Sequence, residues 1–211
     1  MRAMRRFGPT TRAALTAALA LGFAGGAWAH GAERQGATAA PATIEDDTPF
    51  PFEIGGPFAL VDHTGTPRTD ADFGDNYMLV FFGYTSCDGI CPVGLRRMAE
   101  ALDRLGAAGA RVQPLFITVD PANDTPAAIA SYVAAIHPRL IGLTGSVDRL
   151  DRVAKAYRVR ARPIARTADG RVIMSHGTYI YLMGPGGAFL TLLPPILDAE
   201  AMAAAIRRHM L

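Results

Sequence analysis

The chain has 211 residues, half of them hydrophobic, with a formal net charge of +2 and two cysteines. This length is enough for one domain with a full hydrophobic core. Residues 1–29 contain four arginines and no acid, so the charge falls from +2 to −2 without them, and the charge does not indicate nucleic-acid binding.

The N-terminal segment has the pattern of a targeting signal. Its arginines precede an apolar stretch over residues 13–27, and Ala27-Trp28-Ala29 has the small-x-small form of a cleavage site. A membrane span needs about 20 apolar residues, more than this stretch offers. We therefore predict a signal peptide over residues 1–29, with an uncleaved N-terminal anchor as the alternative. Both predict a location in the periplasm or on the outer face of the cytoplasmic membrane of a bacterium.

Residues 30–56 are rich in Ala, Pro, Gly and acids and lack apolar periodicity, which predicts a flexible linker. The folded domain is then expected over residues 57–211. Its first element is an opening β-hairpin, because Phe58–Val61 precedes the turn signal Asp62-His63-Thr64-Gly65.

A strand, a short loop and a helix are predicted next. The apolar run over Tyr77–Phe82 is rich in β-formers and ends at Gly83. After the loop, apolar residues recur at helical spacing at Leu95, Met98, Leu102 and Leu105. This strand is expected at the centre of the fold.

Both cysteines of the chain, Cys87 and Cys91, lie where that loop meets the helix, and Pro92 fits the first helical turn. Unpaired N–H groups and the helix dipole favour a thiolate at such a position. A small structural disulfide is the alternative, although a loop this short constrains little chain. The sequence does not single out one cysteine over the other.

The remaining elements alternate between strand and helix. They are a buried strand at Val112–Val119, a helix opened by Asp124-Thr125-Pro126, a strand at Leu140–Leu143, a helix capped by Ser146, strands at Val172–Met174, Thr178–Met183 and Ala188–Leu193, and a helix over Asp198–Ile206. This order predicts an α/β fold with a central mixed β-sheet flanked by helices and an N-terminal β-hairpin extension. Two cysteines between the first long strand and its helix are typical of a thioredoxin-like fold.

A basic segment lies between the third predicted helix and the late strands. From Arg149 to Arg171 the sequence has eight cations and two acids, Asp151 and Asp169. A solvated face and a docking patch for an acidic partner are both compatible with this pattern.

From about Phe58 to Leu211 the chain resembles the Sco/SenC family of exported, copper-binding, thioredoxin-like proteins. The resemblance rests on FFGYTSCDGICP at 81–92, FITVDPANDTP at 116–126, GLTG at 142–145 and SHGTYIYLMGPGG at 175–187. It implies a copper ion, Cu(I) or Cu(II), held by Cys87, Cys91 and His176, with Asp120 as a nearby acid. The family often has Pro-Asp after the first cysteine, whereas this chain has Asp88-Gly89.

The resemblance also implies a function. Members supply copper to the binuclear copper site of cytochrome c oxidase, so the expected partners are the copper-bearing oxidase subunit and other copper carriers or thiol reductants of the envelope. Membrane contact is expected only if the N-terminal segment is uncleaved. The residues agree with copper, because thiolates select Cu(I) and imidazole suits both oxidation states. A structural zinc site usually has four protein ligands, which makes zinc a poorer candidate.

A thiol–disulfide oxidoreductase is the competing hypothesis, so the sequence leaves open whether the protein is an enzyme. One cysteine would attack a disulfide and the other would resolve the mixed intermediate. Two features count against it. Three residues separate Cys87 from Cys91 where two are usual, and His176 stands where thioredoxin-like oxidoreductases carry a cis-proline.

Overall fold

The structure, a computed structural model, describes residues 53–210. The elements in this range are β1 (Ala59–Asp62), β2 (Pro67–Thr69), β3 (Tyr77–Gly83), α1 (Ile90–Leu105), β4 (Val112–Thr118), α2 (Pro126–Ala134), β5 (Ile141–Thr144), α3 (Val147–Ala156), β6 (Ala161–Arg166), β7 (Val172–His176), β8 (Ile180–Met183), β9 (Phe189–Leu193) and α4 (Ala199–Arg208). The predicted signal peptide at 1–29 and most of the predicted linker lie outside the described residues.

Seven strands form one mixed sheet in the order β2-β1-β5-β4-β3-β8-β9. Strands β3, β4 and β5 run parallel, whereas β1, β8 and β9 pair antiparallel with their neighbours. The predicted central mixed sheet is therefore confirmed. The predicted opening hairpin is present as β1 and β2, and it extends the sheet because β1 pairs with β5.

Strand β3 divides the hydrophobic core in two. All seven of its residues are buried, and successive side chains point to opposite faces of the sheet. Leu79 and Phe81 belong to a cluster with residues of α1, α2 and α4. Met78, Val80 and Phe82 belong to a second cluster with residues of α3. Burial on both faces explains why β3 appears in the sequence as an uninterrupted apolar run.

The predicted helix starts agree with the structure. Thr125 Oγ1 accepts a hydrogen bond from the Ala128 N–H at 3.2 Å, with Pro126 in the first turn of α2. Ser146 caps α3 and Asp198 caps α4 in the same way. Each cap satisfies an N–H group that has no partner inside its helix.

The folded part begins before residue 57, where the sequence placed the end of the linker. Ile54 is buried and belongs to the cluster beside α3. The N–H of Gly55 donates to the Ala156 carbonyl at 3.0 Å. The predicted boundary is thus a few residues late, because the prolines and glycines around Ile54 have the composition of a linker.

Strand β6 was not predicted. It pairs antiparallel with β7 in a two-stranded ribbon separate from the seven-stranded sheet. Every residue of β6 is exposed, so the strand lacks apolar alternation, and Pro163 interrupts it beside a shift in the pairing register. This ribbon, here called the histidine hairpin (residues 161–176), ends at His176.

Within residues 53–210, the helices are too short or too polar to cross a bilayer.

Candidate metal centre

The structure brings the three predicted ligands together. Cys87 lies in the loop after β3, Cys91 is the second residue of α1, and His176 is the last residue of β7. Cys91 Sγ and His176 Nε2 are 3.8 Å apart. The Cys87 and Cys91 side chains are hydrogen-bonded to each other, and both are free thiols. The three side chains therefore form a continuous row from Cys87 through Cys91 to His176.

A backbone hydrogen bond orients the imidazole of His176. Its Nδ1 lies 2.8 Å from the carbonyl oxygen of Gly177. Because a carbonyl only accepts hydrogen bonds, Nδ1 carries the hydrogen, and in the neutral ring Nε2 has the lone pair. The Tyr84 ring meets the imidazole edge-on, with centroids 5.8 Å apart. The nitrogen that faces Cys91 is therefore the one able to bind a metal ion.

The two cysteines have different electrostatic environments. A hydrogen bond from the Cys91 thiol, together with the N–H groups of Cys91 and Gly89, lowers the pKa of Cys87 to about 5 despite partial burial. The same hydrogen bond to Cys87, together with burial, raises the pKa of Cys91 above its usual range. Cys87 is thus a half-buried thiolate and Cys91 a fully buried thiol at neutral pH. This difference corrects the view from sequence that neither cysteine stands out.

Gly83, at the end of β3, makes room for the Cys91 sulfur. A Cβ atom at this position would lie 3.1 Å from Cys91 Sγ and 3.0 Å from the Phe116 ring. In the sequence, Gly83 stands out only as the residue that ends the strand. The structure adds that a larger residue here would crowd the thiol.

A buried carboxylate anchors the loop that precedes Cys87. Asp124 accepts hydrogen bonds from the Thr85 N–H at 3.1 Å, from Thr85 Oγ1 at 2.5 Å and from Thr118 Oγ1 at 2.5 Å. Burial raises the pKa of Asp124, and the hydroxyl donors oppose that rise. In the sequence, Asp124 stands out only as part of a helix start. Its position after β4, which neighbours β3, was the signal that it could reach the loop after β3.

Asp120, the predicted nearby acid, makes its hydrogen bonds within residues 118–124. It is buried, and its Oδ2 accepts a hydrogen bond from Asn123 Nδ2 at 2.8 Å. Among the described residues, none of its hydrogen bonds joins it to the cysteines or to His176. Its carbonyl accepts the N–H of Asp124 at 2.9 Å, which closes the turn between them. The acid that supports the cysteine loop is therefore Asp124.

An ion pair links the cysteine loop to the histidine hairpin. Arg171 Nη1 donates to Asp88 Oδ2 at 2.7 Å, and Arg171 Nε donates to Asp169 Oδ2 at 2.9 Å. Asp88 directly follows Cys87, at a position where this chain departs from the family pattern. All three side chains are well exposed. The sequence carries no local signal of this contact, because 83 residues separate Arg171 from Asp88.

The observed spacing fits one metal ion between sulfur and nitrogen. With bond lengths of about 2.3 Å to thiolate and about 2.0 Å to imidazole, as at zinc, ligands in a trigonal plane lie about 3.7 Å apart. The Cys91–His176 distance is 3.8 Å. Within residues 53–210, no group of three or more Cys, His, Asp or Glu side chains is placed to hold a metal ion as it stands. An ion would replace the hydrogen bond between Cys87 and Cys91, and two sulfurs with one nitrogen suit copper.

Comparison with known proteins finds one matching family and several similar sequences. The family described as SCO1/SenC matches residues 46–211. The chain is 40% identical over 159 residues to the human protein SCO1 homolog, mitochondrial, covering 74% of this chain and 53% of that protein. It is 41% identical over 154 residues to protein SenC of Rhodobacter capsulatus, covering 73% of this chain and 69% of SenC. The match thus spans about half the length of the human relative.

A solved structure is similar over the same region. The structure of Bradyrhizobium japonicum ScoI with copper bound has 38% sequence identity and a TM-score of 0.68. The similarity covers 74% of this chain and 98% of that one. It confirms the predicted thioredoxin-like fold.

Proposed function

The chain belongs to the SCO1/SenC family, and on that premise we propose that it is an exported copper chaperone. It binds copper through Cys87, Cys91 and His176 and delivers the ion for assembly of the binuclear copper site of cytochrome c oxidase. The main support is the 3.8 Å approach of Cys91 Sγ to a His176 nitrogen whose lone pair faces it. The relative from Bradyrhizobium japonicum, solved with copper bound, supports the choice of metal.

Each of the three residues contributes to copper binding in a different way. Cys87 is already a thiolate, so it offers a first sulfur without losing a proton. Cys91 must release its proton when copper binds, which couples loading to pH. His176 adds a nitrogen that suits both copper oxidation states. Three protein ligands leave one side of the ion open to a ligand of the copper-bearing oxidase subunit or of another copper carrier.

Copper loading should require reduced thiols. A Cys87–Cys91 disulfide removes two of the three ligands at once. The test is titration of Cu(I) into reduced and oxidised protein under a competing chelator, with Cys87→Ser and Cys91→Ser as further samples. We expect tight binding to the reduced wild type alone. Equal affinity in the reduced and oxidised forms would rule out the proposed ligand set.

A thiol–disulfide oxidoreductase remains the second candidate, and one observation favours it. The low pKa of Cys87 and the raised pKa of buried Cys91 suit an attacking and a resolving thiol. Its substrates would be the cysteines of the oxidase copper site or of another envelope protein.

His176→Ala separates the two functions. A reductase variant still cycles its dithiol with a small disulfide, whereas a copper chaperone loses Cu(II) binding because only soft sulfur ligands remain. Oxidase copper content in cells carrying each variant gives the readout. Normal oxidase with His176→Ala, but not with the cysteine variants, would favour the reductase.

A further inference from the structure

The charges of the described residues are strongly segregated. Residues 149–171 contain eight cations and two acids, whereas the rest of residues 53–210 contain eight cations and thirteen acids. The first segment therefore has a net charge of +6 and the remainder −5. Such separation creates a local positive field that attracts an acidic partner and repels a basic one.

Part of this positive charge lines a groove. A cavity of about 620 Å³ lies between the end of α3 and the start of β6. Lys155, Arg158 and Arg160 line it, and Asp151 is the one acid among its lining residues. Within the described part of the chain, neither Lys155 nor Arg160 makes an ion pair. The groove thus offers at least two exposed cations that make no ion pair within the described residues.

The groove lies beside the candidate metal centre. Ala161 lines the groove and pairs directly with His176 across the histidine hairpin. Side chains of cross-strand partners lie on the same face of a two-stranded ribbon. The end of the groove at Ala161 is therefore next to His176 across the ribbon. Arg162, the next cation of β6, is also exposed.

We propose that the groove formed by Lys155, Arg158 and Arg160 docks an acidic surface segment of the protein that accepts copper. This proposal rests on the proposed function. It adds that the partner which accepts copper presents an acidic surface. Docking there positions the acceptor next to His176, the proposed ligand at the end of the histidine hairpin. Because such charges act mainly on encounter, they raise the association rate and make copper transfer depend on ionic strength.

The test compares two double charge reversals in the full protein. Lys155→Glu/Arg160→Glu alters the groove. Arg149→Glu/Arg152→Glu changes the net charge equally and lies in α3, the helix that carries Lys155, but its residues line a separate cavity beside Phe58. Each variant is loaded with Cu(I), and its copper affinity is measured first. Copper transfer to the reduced soluble domain of the oxidase copper-bearing subunit is then followed by stopped-flow across a salt series.

We expect the groove variant to keep its copper affinity and to lose roughly tenfold or more in second-order transfer rate at low salt. Its salt dependence should flatten, while the control variant stays within about threefold of the wild type. An unchanged rate and salt dependence in the groove variant would overturn the proposal. Equal losses in both variants would also overturn it, because they indicate a general charge effect.

Two further outcomes are decisive. If the wild type binds Cu(I) but transfers none to the oxidase domain, the proposed delivery function fails, and the docking proposal fails with it. Vesicles of phosphatidylglycerol and phosphatidylcholine test an acidic lipid surface as the occupant. Loss of vesicle binding in the groove variant, with transfer unchanged, would assign the groove to the membrane and overturn the protein-docking proposal.

Discussion

The two halves of the candidate metal centre are held in different ways. The cysteine half is built on the junction of β3 and α1, where Cys91 is fully buried and Asp124 anchors the preceding loop. The histidine half lies on a two-stranded hairpin outside the main sheet, with all of β6 exposed. Arg171 links the halves through an exposed ion pair with Asp88.

This difference suits the proposed copper chaperone, which must both hold and release a metal ion. The buried half fixes two sulfurs in an environment that favours one thiolate before any ion arrives. The exposed half is a segment with few buried contacts, and such segments open at low free-energy cost. We infer that the two sulfur positions stay constant when the metal ion binds and leaves, and that His176 is the ligand that moves.

The largest effect should be seen in thiol reactivity. At pH 6, Cys87 is a thiolate and Cys91 a buried thiol, so iodoacetamide should alkylate Cys87 at least roughly 100-fold faster. As the pH falls through about 5, Cys87 gains a proton and its reactivity should be lost. Mass spectrometry of the metal-free reduced protein locates and quantifies the label.

The pH dependence of Cys87 alkylation, measured again in His176→Gln, tests whether the histidine half influences the cysteine half. The hydrogen bond from Cys91, rather than the charge on His176, is the main cause of the low Cys87 pKa. The pH midpoint of Cys87 alkylation should therefore be nearly the same in the variant as in the wild type. A wild-type midpoint near 8.5, as for a free thiol, would show that the cysteine half is not preorganised.

The second prediction concerns the anchor of the cysteine half. Asp124→Ala leaves the Thr85 N–H and the Thr85 and Thr118 hydroxyls without their acceptor. Unpaired buried donors are costly, so the free energy of unfolding should fall by about 2 kcal/mol or more. Urea denaturation measures it. Asp151→Ala, at an exposed site on α3, is the control and should stay within about 0.5 kcal/mol of the wild type. Equal free energies of unfolding in both variants would show that Asp124 does not anchor the loop before Cys87.

A pair of glycine substitutions compares the two halves directly. Gly83→Ala places a methyl group 3.1 Å from Cys91 Sγ, so it should cost about 1–3 kcal/mol and weaken Cu(I) binding. A methyl group at Gly177, beside His176, would meet no atom within 4 Å. Gly177→Ala should therefore leave both stability and Cu(I) affinity near wild type. The reverse order of effects would mean that the histidine half is the more tightly packed one.

The smallest effect is expected from the ion pair between the halves. Asp88→Asn or Arg171→Gln should speed amide hydrogen exchange in the histidine hairpin roughly 2- to 5-fold, because exposed ion pairs are weak. High salt should speed exchange of the wild-type hairpin in the same way. Arg166→Gln is the matched control, since Arg166 reaches the Gly170 carbonyl within its own hairpin. Equal exchange rates in all variants would show that the ion pair does not restrain the hairpin.

The comparison also shows which features could be predicted from the sequence. Strands β3 and β4 and helix α1 were predictable because their burial produces a local pattern of apolar residues. Strand β6 was not, because an exposed ribbon containing Pro163 leaves no such pattern. The better-packed half of the centre is therefore the half that the sequence describes well.

The site itself divides in the same way. The cysteines were evident from their spacing at a strand–helix junction, whereas His176 depended on the family resemblance. Asp120 and Asp124 lie in one turn, and only the three-dimensional path of that turn decides which acid faces Thr85. The Arg171–Asp88 contact joins distant parts of the chain, so no local pattern predicts it.

The central claim is that one copper ion joins the two halves, and X-ray absorption of the copper-loaded protein tests it most directly. The reduced wild type loaded with one equivalent of Cu(I) should show two sulfur ligands and one imidazole nitrogen. In His176→Ala the nitrogen contribution should disappear while both sulfurs remain, since Cys87 and Cys91 lie on the fixed half. Identical spectra from the wild type and His176→Ala, with sulfur ligands alone, would contradict the account.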